Sequence, residues 1–263
     1  MSLEEETTAS SGATLVPDEY RIAAFSVPGD MESLEEILTG LPEMDRLTAL
    51  QTARSLPGII PGCYRREIAE EVVERLAAAG LKAIAVPASE IPDLLHVQRP
   101  HRINISDDIL GTTDSRGRTQ ACSWQDVAVI GVGVVPSTAP SGFRSLPLVA
   151  SGSSHRLWNS SIKVSPRHRL EVWIVLRNGQ PAICIASDEV SYEYLADRIA
   201  PSSAANFRLL VEDLIQHSPT AWLTPSTIAF KEHHPASHFD FRTCDDFRRY
   251  IELQFVLSHH PEH

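Results

Sequence analysis

The chain has 263 residues, 43% of them hydrophobic and 22% charged, an ordinary globular mixture that excludes wholesale disorder and leaves room for one large domain or two ordinary ones. Thirty-four acidic residues against 23 Lys plus Arg give a net charge of −11, which argues against general nucleic-acid affinity because phosphates need a basic surface. The longest apolar runs, Ala128 to Val135 and Val172 to Leu176, are too short to span a bilayer. The start, MSLEEETTAS, is acidic and lacks an apolar core, so it reads as cytoplasmic rather than as a signal peptide. Cys63, Cys122, Cys184 and Cys244 lie far apart without a CxxC pair and read as reduced thiols.

Residues 1–19 are Ser, Thr, Gly and Glu with little apolar content and read as a disordered tail. Tyr20 to Val27 is a short strand closed by Pro28-Gly29. Asp30 is a good N-cap for a helix carrying Met31, Leu34 and Leu38, which Gly40 stops. Leu47, Leu50 and Ala53 suggest a second helix ending before Pro57-Gly58, and Ile59-Ile60 a short apolar segment. Ile68, Val72, Leu76 and Ala79 form the stripe of a helix over 64–79, with Gly80 at its end, and Leu81 to Val86 returns as a strand. The order β-α-α-β-α-β describes a compact α+β domain over residues 20–90.

The segment from Gly62 (GCYRREIAEEVV) resembles the Gly-x-Tyr-Thr-Arg-Glu-x-Ala-Glu stretch of the Clp-protease adaptor family. The wider pattern, LPGIIPG, an amphipathic helix and AAAGLKAIAVP, is similar to the C-terminal domain of the bacterial ribosomal stalk protein. Both resemblances imply one fold for residues 20–90. The adaptor resemblance implies an amino-terminus pocket built from an Asn-Asp pair and a His. Here Gly29-Asp30 and Arg54 stand near those places, so only Asp30 is kept, and it also serves as a helix cap. The stalk resemblance implies a lysine-bearing helix face for translation factors, where this chain carries Glu32, Glu35 and Glu36.

Residues 87–100, with three prolines and no period, suit a connector. From His101 the pattern turns to strands, with a turn at Asp114–Gly117, a short turn at Trp124–Asp126 and a long apolar strand after it. Residues 136–168 are rich in Ser, Pro and Gly and read as a long loop. In Arg169 to Arg177, Leu170, Val172, Ile174 and Leu176 share one face, and Asn178-Gly179 signals a hairpin into PAICIAS. Helices are expected over 188–199 and 203–217, short strands over 226–230 and 239–241, and a last helix over 245–257 capped by Thr243. The strand, turn, Trp and Asp pattern of ISDDILGTTDSRGR and SWQDV resembles the opening of pleckstrin-homology-like domains. That resemblance implies, for residues 96–263, a twisted sheet closed by a C-terminal helix, here with added helices.

Charge divides the chain in three: residues 1–95 balance at −10, 96–180 at +5 and 181–263 at −6. The bases of the middle third either form an anion-binding face, or are solvated, or dock on acidic parts of the same chain; mixed charge is the surface default. His233, His234 and His238, followed by Asp240 and Cys244, have a spacing permissible for zinc, but Pro235 breaks a helical pairing and no second ligand pair follows. Asp107-Asp108 would point to opposite faces of a strand, and Asp245-Asp246 suit a first helical turn. Gly131-Val-Gly133 sits inside an apolar strand, as glycines do where another element packs closely. No phosphate loop, Rossmann fingerprint, nucleophile elbow or HExxH occurs in the chain. The sequence thus points to no catalytic, cofactor-binding or metal residue. Its expectation is a non-catalytic cytoplasmic binding or scaffold protein with a protein or peptide partner and no nucleic acid. The alternatives are a metal-dependent enzyme using the His233–His238 region and a ribosome-associated protein.

Overall fold

A computed structural model of the chain describes residues 19–27, 29–137, 168–177 and 180–262. Residues 1–18 of the tail expected over 1–19, most of the loop at 136–168 and the Asn178-Gly179 turn lie outside the described residues, whereas Glu19 already belongs to the first strand. The class is α+β. Contacts divide the chain into two units, one built from residues up to 56 with 60–90 and one from 57–59 with 91 onward. Among the described residues no helix is long and apolar enough to cross a membrane.

In the first unit, β1 (Glu19–Ala24), α1 (Met31–Thr39), α2 (Arg46–Ser55), β2 (Gly58–Arg65), α3 (Arg66–Ala78) and β3 (Ala83–Pro87) follow in order. The sheet order is β2-β1-β3, and β1 pairs antiparallel with β3 from Tyr20↔Pro87 to Ala24↔Ala83. Asp30 starts α1 by accepting from the Glu32 backbone N–H at 3.0 Å, and Asp45 starts α2 by accepting from Thr48 N–H at 2.8 Å. Gly80, at φ +79°, turns the chain out of α3 in a conformation that a side chain would strain. Ile22, Leu34, Leu38, Ile60, Val72 and Leu76 are buried together as the core. The Ile59-Ile60 segment is longer than its two apolar residues suggest, because the strand runs on through Gly62 and Cys63, which are exposed.

In the second unit, β4 (Arg102–Ile105), β5 (Ile109–Thr113) and β6 (Thr119–Ser123) form an antiparallel meander. A separate sheet has the order β10-β7-β8-β9, from β7 (Val127–Pro136), β8 (His168–Leu176), β9 (Ile183–Ala186) and β10 (Trp222–Leu223). Strands β7, β8 and β9 pair antiparallel, and β10 lies parallel to β7. The remaining elements are α4 (Ser203–His217), α5 (Pro225–Lys231) and α6 (Cys244–His259).

Strand β8 is buried on both faces. Leu170, Val172, Ile174 and Leu176 pack with Phe207, Leu210 and Leu214 of α4 and Phe230 of α5. Trp173 and Val175 pack with Phe247, Ile251 and Phe255 of α6. The glycines of β7 make the second packing possible. A Cβ on Gly131 would lie 2.0 Å from Ile251 Cδ1, and one on Gly133 would lie 2.9 Å from the Phe247 ring.

Two expected elements are corrected. Residues 188–199 are not an α-helix: only Glu193–Arg198 is a 3-10 segment, broken where Ala196 takes φ 47°. Local ties hold the chain there, since Arg169 pairs with Asp188 and Glu189, and Tyr192 Oη donates to the Ser187 carbonyl at 3.0 Å. Residues 226–230 are helix rather than strand, because Thr224 accepts from Thr227 N–H at 3.2 Å and Pro225 fills the first helical position. Residues 239–241 make one bridge to β7, with Val134 N–H donating to Phe239 O and Phe241 N–H donating to Val134 O. Part of the connector has a structural role: Gln98 bridges to Ile183 and covers the free edge of β9.

Candidate anion pocket

A pocket of about 800 Å3 opens in the second unit, within the roughly 300–1,000 Å3 usual for small-molecule sites. Its walls come from the chain over 94–100, the β5–β6 turn with its flanks, and the first turn of α6, with Trp173 of β8 and Pro181 behind. Four arginines line it, Arg99, Arg116, Arg118 and Arg248, against two aspartates, Asp114 and Asp245.

Three local devices place the four arginines. Asp114 folds the turn around its own carboxylate, accepting from the backbone N–H groups of Arg116 at 2.8 Å and Arg118 at 2.9 Å. It also accepts from Arg118 Nε at 2.6 Å. The Arg118 bonds hold the Asp114 carboxyl below the usual carboxylate range. Gly117, at φ +80°, completes the turn. Thr243 caps α6 by accepting from Asp246 N–H at 2.9 Å, which sets Asp245 and, one turn on, Arg248 on the pocket side of the helix. Arg248 is fully engaged, with Nε and Nη2 on Asp245 at 3.1 and 2.6 Å and Nη1 on Glu252 at 2.9 Å.

Arg99 is held from beneath. Glu171 has no exposed surface and gathers four bonds. Its Oε1 accepts from Arg169 Nε at 3.0 Å, Arg169 Nη2 at 2.7 Å and Arg99 Nη1 at 3.2 Å, while Oε2 accepts from Trp173 Nε1 at 3.0 Å. Burial alone would raise this carboxyl. The Trp173 bond and the charges of Arg99 and Arg169 outweigh burial and hold it below its ordinary value. Arg169 is itself buried and continues to Glu189, with Asp188 at 3.8 Å. Arg99, whose side chain is 41% exposed, spends one nitrogen on Glu171.

The wall therefore has a surplus of donors. Asp114 and Asp245 are occupied by Arg118, Arg248 and Arg249. Arg99 and Arg118 each keep guanidinium N–H groups uncommitted, and among the described residues the Arg116 guanidinium has no hydrogen-bond or ion-pair partner. Leu94, Leu95, Val97, Pro100 and Pro181 supply an apolar side to the same pocket. Such a site can orient a negatively charged group by forked hydrogen bonds while burying an organic body.

Of the candidates that the sequence offers, Cys244 and Asp245 line the pocket and the others fall elsewhere. His233 sits against Arg208, His234 and His238 meet edge to face at 5.2 Å, and His234 Nε2 lies 3.3 Å from Glu232. Among the described residues no three His, Cys, Asp or Glu side chains are grouped as a metal ion requires. Asp107 and Asp108 stand in the turn between β4 and β5, while Asp240 lies in the bridge to β7. Cys244 lines the pocket, its thiol pushed up by burial. Arg54 is exposed, and Asp30 is occupied by Glu32 N–H and Ser33 Oγ.

Of the basic middle third, Arg99, Arg116 and Arg118 line the pocket, while Arg169 lies buried behind it. Arg177 holds backbone carbonyls of Gln125, Val127 and Thr220. Arg144, Arg156, Lys163 and Arg167 lie outside the described residues. No protein-family model, no curated protein and no solved structure matches the chain.

Proposed function

We propose that the protein is a non-catalytic, cytoplasmic binding protein whose second unit takes the anionic group of its partner in the arginine-walled pocket. The observation that carries this reading is the imbalance at the wall. Its carboxylates are satisfied internally, while guanidinium groups of Arg99, Arg116 and Arg118 retain unpaired donors. A guanidinium fork matches carboxylate and phosphate oxygens bidentately, and the buried Glu171 fixes Arg99 before any ligand arrives.

Calorimetric titration of the full chain with citrate, sulfate and inorganic phosphate at low ionic strength tests the reading. Binding is expected, weakening as salt is raised, and Arg116→Ala should reduce affinity about tenfold, or about 1.4 kcal/mol. Absence of binding by all three anions, or equal affinity in the variant, would refute it.

A further inference from the structure

The ligand's chemical class follows from where the pocket's uncommitted donors stand and from its apolar side. This step rests on the anion-binding reading above. Asp245 and Glu252 take up Arg248, while Glu171 and Asp114 engage only part of Arg99 and Arg118, so the unpaired donors at the wall are those of Arg116 and the free nitrogens of Arg99 and Arg118. The uncommitted donors come from two separate parts of the wall: Arg99 on the 94–100 segment, and Arg116 and Arg118 on the β5–β6 turn. A planar carboxylate offers two oxygens in one plane, which suits one fork. A phosphate monoester offers three peripheral oxygens pointing in different directions, which suits forks arriving from two sides.

The pocket is also far larger than an inorganic phosphate. Leu94, Leu95, Val97, Pro100 and Pro181 form a side on which an uncharged body can be buried. Leu95 is 70% exposed, so covering it adds favourable apolar burial. We infer that the pocket binds a soluble organic phosphate monoester, with the phosphate between Arg99 and the Arg116–Arg118 turn and the organic body against Leu95 and Pro181.

The experiment compares four probes on the full chain by calorimetry: phenyl phosphate, inorganic phosphate, benzoate and succinate. Phenyl phosphate should bind at least about tenfold more tightly than the other three, and Arg116→Ala should remove most of that advantage. Equal or tighter binding of benzoate or succinate would overturn the ligand class while leaving the anion-binding reading standing. Inorganic phosphate as tight as phenyl phosphate would overturn the organic body. No binding by any probe, or binding that Arg116→Ala leaves unchanged, would remove both the class and the site. A lipid source is separated by co-sedimentation with phosphatidylcholine vesicles containing phosphatidic acid. Vesicle binding without phenyl phosphate binding would overturn the inference, since a charged surface and not the pocket would then take the phosphate.

Discussion

Glu171 is a carboxylate with no exposed surface, in a strand whose residues from Leu170 to Leu176 are otherwise apolar. Burying an ion costs several kcal/mol unless its partners compensate, and here Arg169, Arg99 and Trp173 do so. One consequence is a defined direction for the Arg99 guanidinium. Another is a dependence of stability on pH. The Glu171 carboxyl lies below its ordinary 4.5, so its contribution is complete above that value and is lost as pH falls through the lower folded value. Glu171→Gln should lower stability near neutral pH by about 3 kcal/mol, since Arg169 keeps Glu189 as a partner. The loss should shrink at acid pH, where the wild-type carboxylate protonates too. Urea midpoints of both proteins from neutral pH down to acid check this. A difference that stays constant over that range would contradict it. In the sequence, Glu171 falls on the face of β8 that alternation leaves as the outer one. Nothing in a period-two pattern tells a solvated glutamate from one covered by a second helix.

At the scale of elements, periodicity and caps are enough where helices carry a single apolar stripe. Asp30 and Thr243 open α1 and α6 as the sequence implies, Ser202 caps α4 in the same way, and the stripe of α4 lies buried against β8. Reading by period fails for α5, whose seven residues are too few to show one, although Thr224-Pro225 carries the start signal. It fails for 188–199 because tertiary ties at Asp188 and Glu189 compete with the helix. The pocket was not readable at this level. Arg99 lies in a proline-rich connector, Arg116 and Arg118 in a turn and Arg248 on a helix, and only the folded second unit brings them to one wall.

The first unit's candidate acceptors point to a negative prediction. Asp30 spends both oxygens on its own cap, and Arg54 offers donors where an ammonium group needs acceptors. Peptides with bulky free N-terminal residues should therefore bind the full chain no better than their acetylated forms. Fluorescence anisotropy checks this, and micromolar binding that acetylation abolishes would contradict it.

For the whole molecule, the division at residue 90 and the satisfied core of each unit predict two stable fragments. Glu90 is exposed, whereas Gln98 is tied to β9 on both its N–H and its carbonyl. Limited digestion with a Glu-specific protease should cut after Glu90 and leave an N-terminal fragment that melts cooperatively. A fragment without cooperative melting would contradict independent units. At the same scale, the basic third of an acidic chain divides between roles: Arg169 and Arg177 serve the fold, and Arg99, Arg116 and Arg118 face the pocket.

The indole N–H of Trp173 reports on that pocket from beneath, because it donates to Glu171, which in turn accepts from Arg99. The indole of Trp124 donates instead to the Ser106 carbonyl, and Trp222 donates to Gln254. A two-dimensional 15N–1H spectrum recorded while phenyl phosphate is added to millimolar levels locates the anion directly. The Trp173 indole resonance should shift and saturate with the same affinity as calorimetry gives, while the Trp124 and Trp222 indoles stay in place. A saturating shift at Trp124 or Trp222 with Trp173 unmoved, or no shift at any of them, would contradict an anion site at the Arg99–Arg116–Arg118 wall.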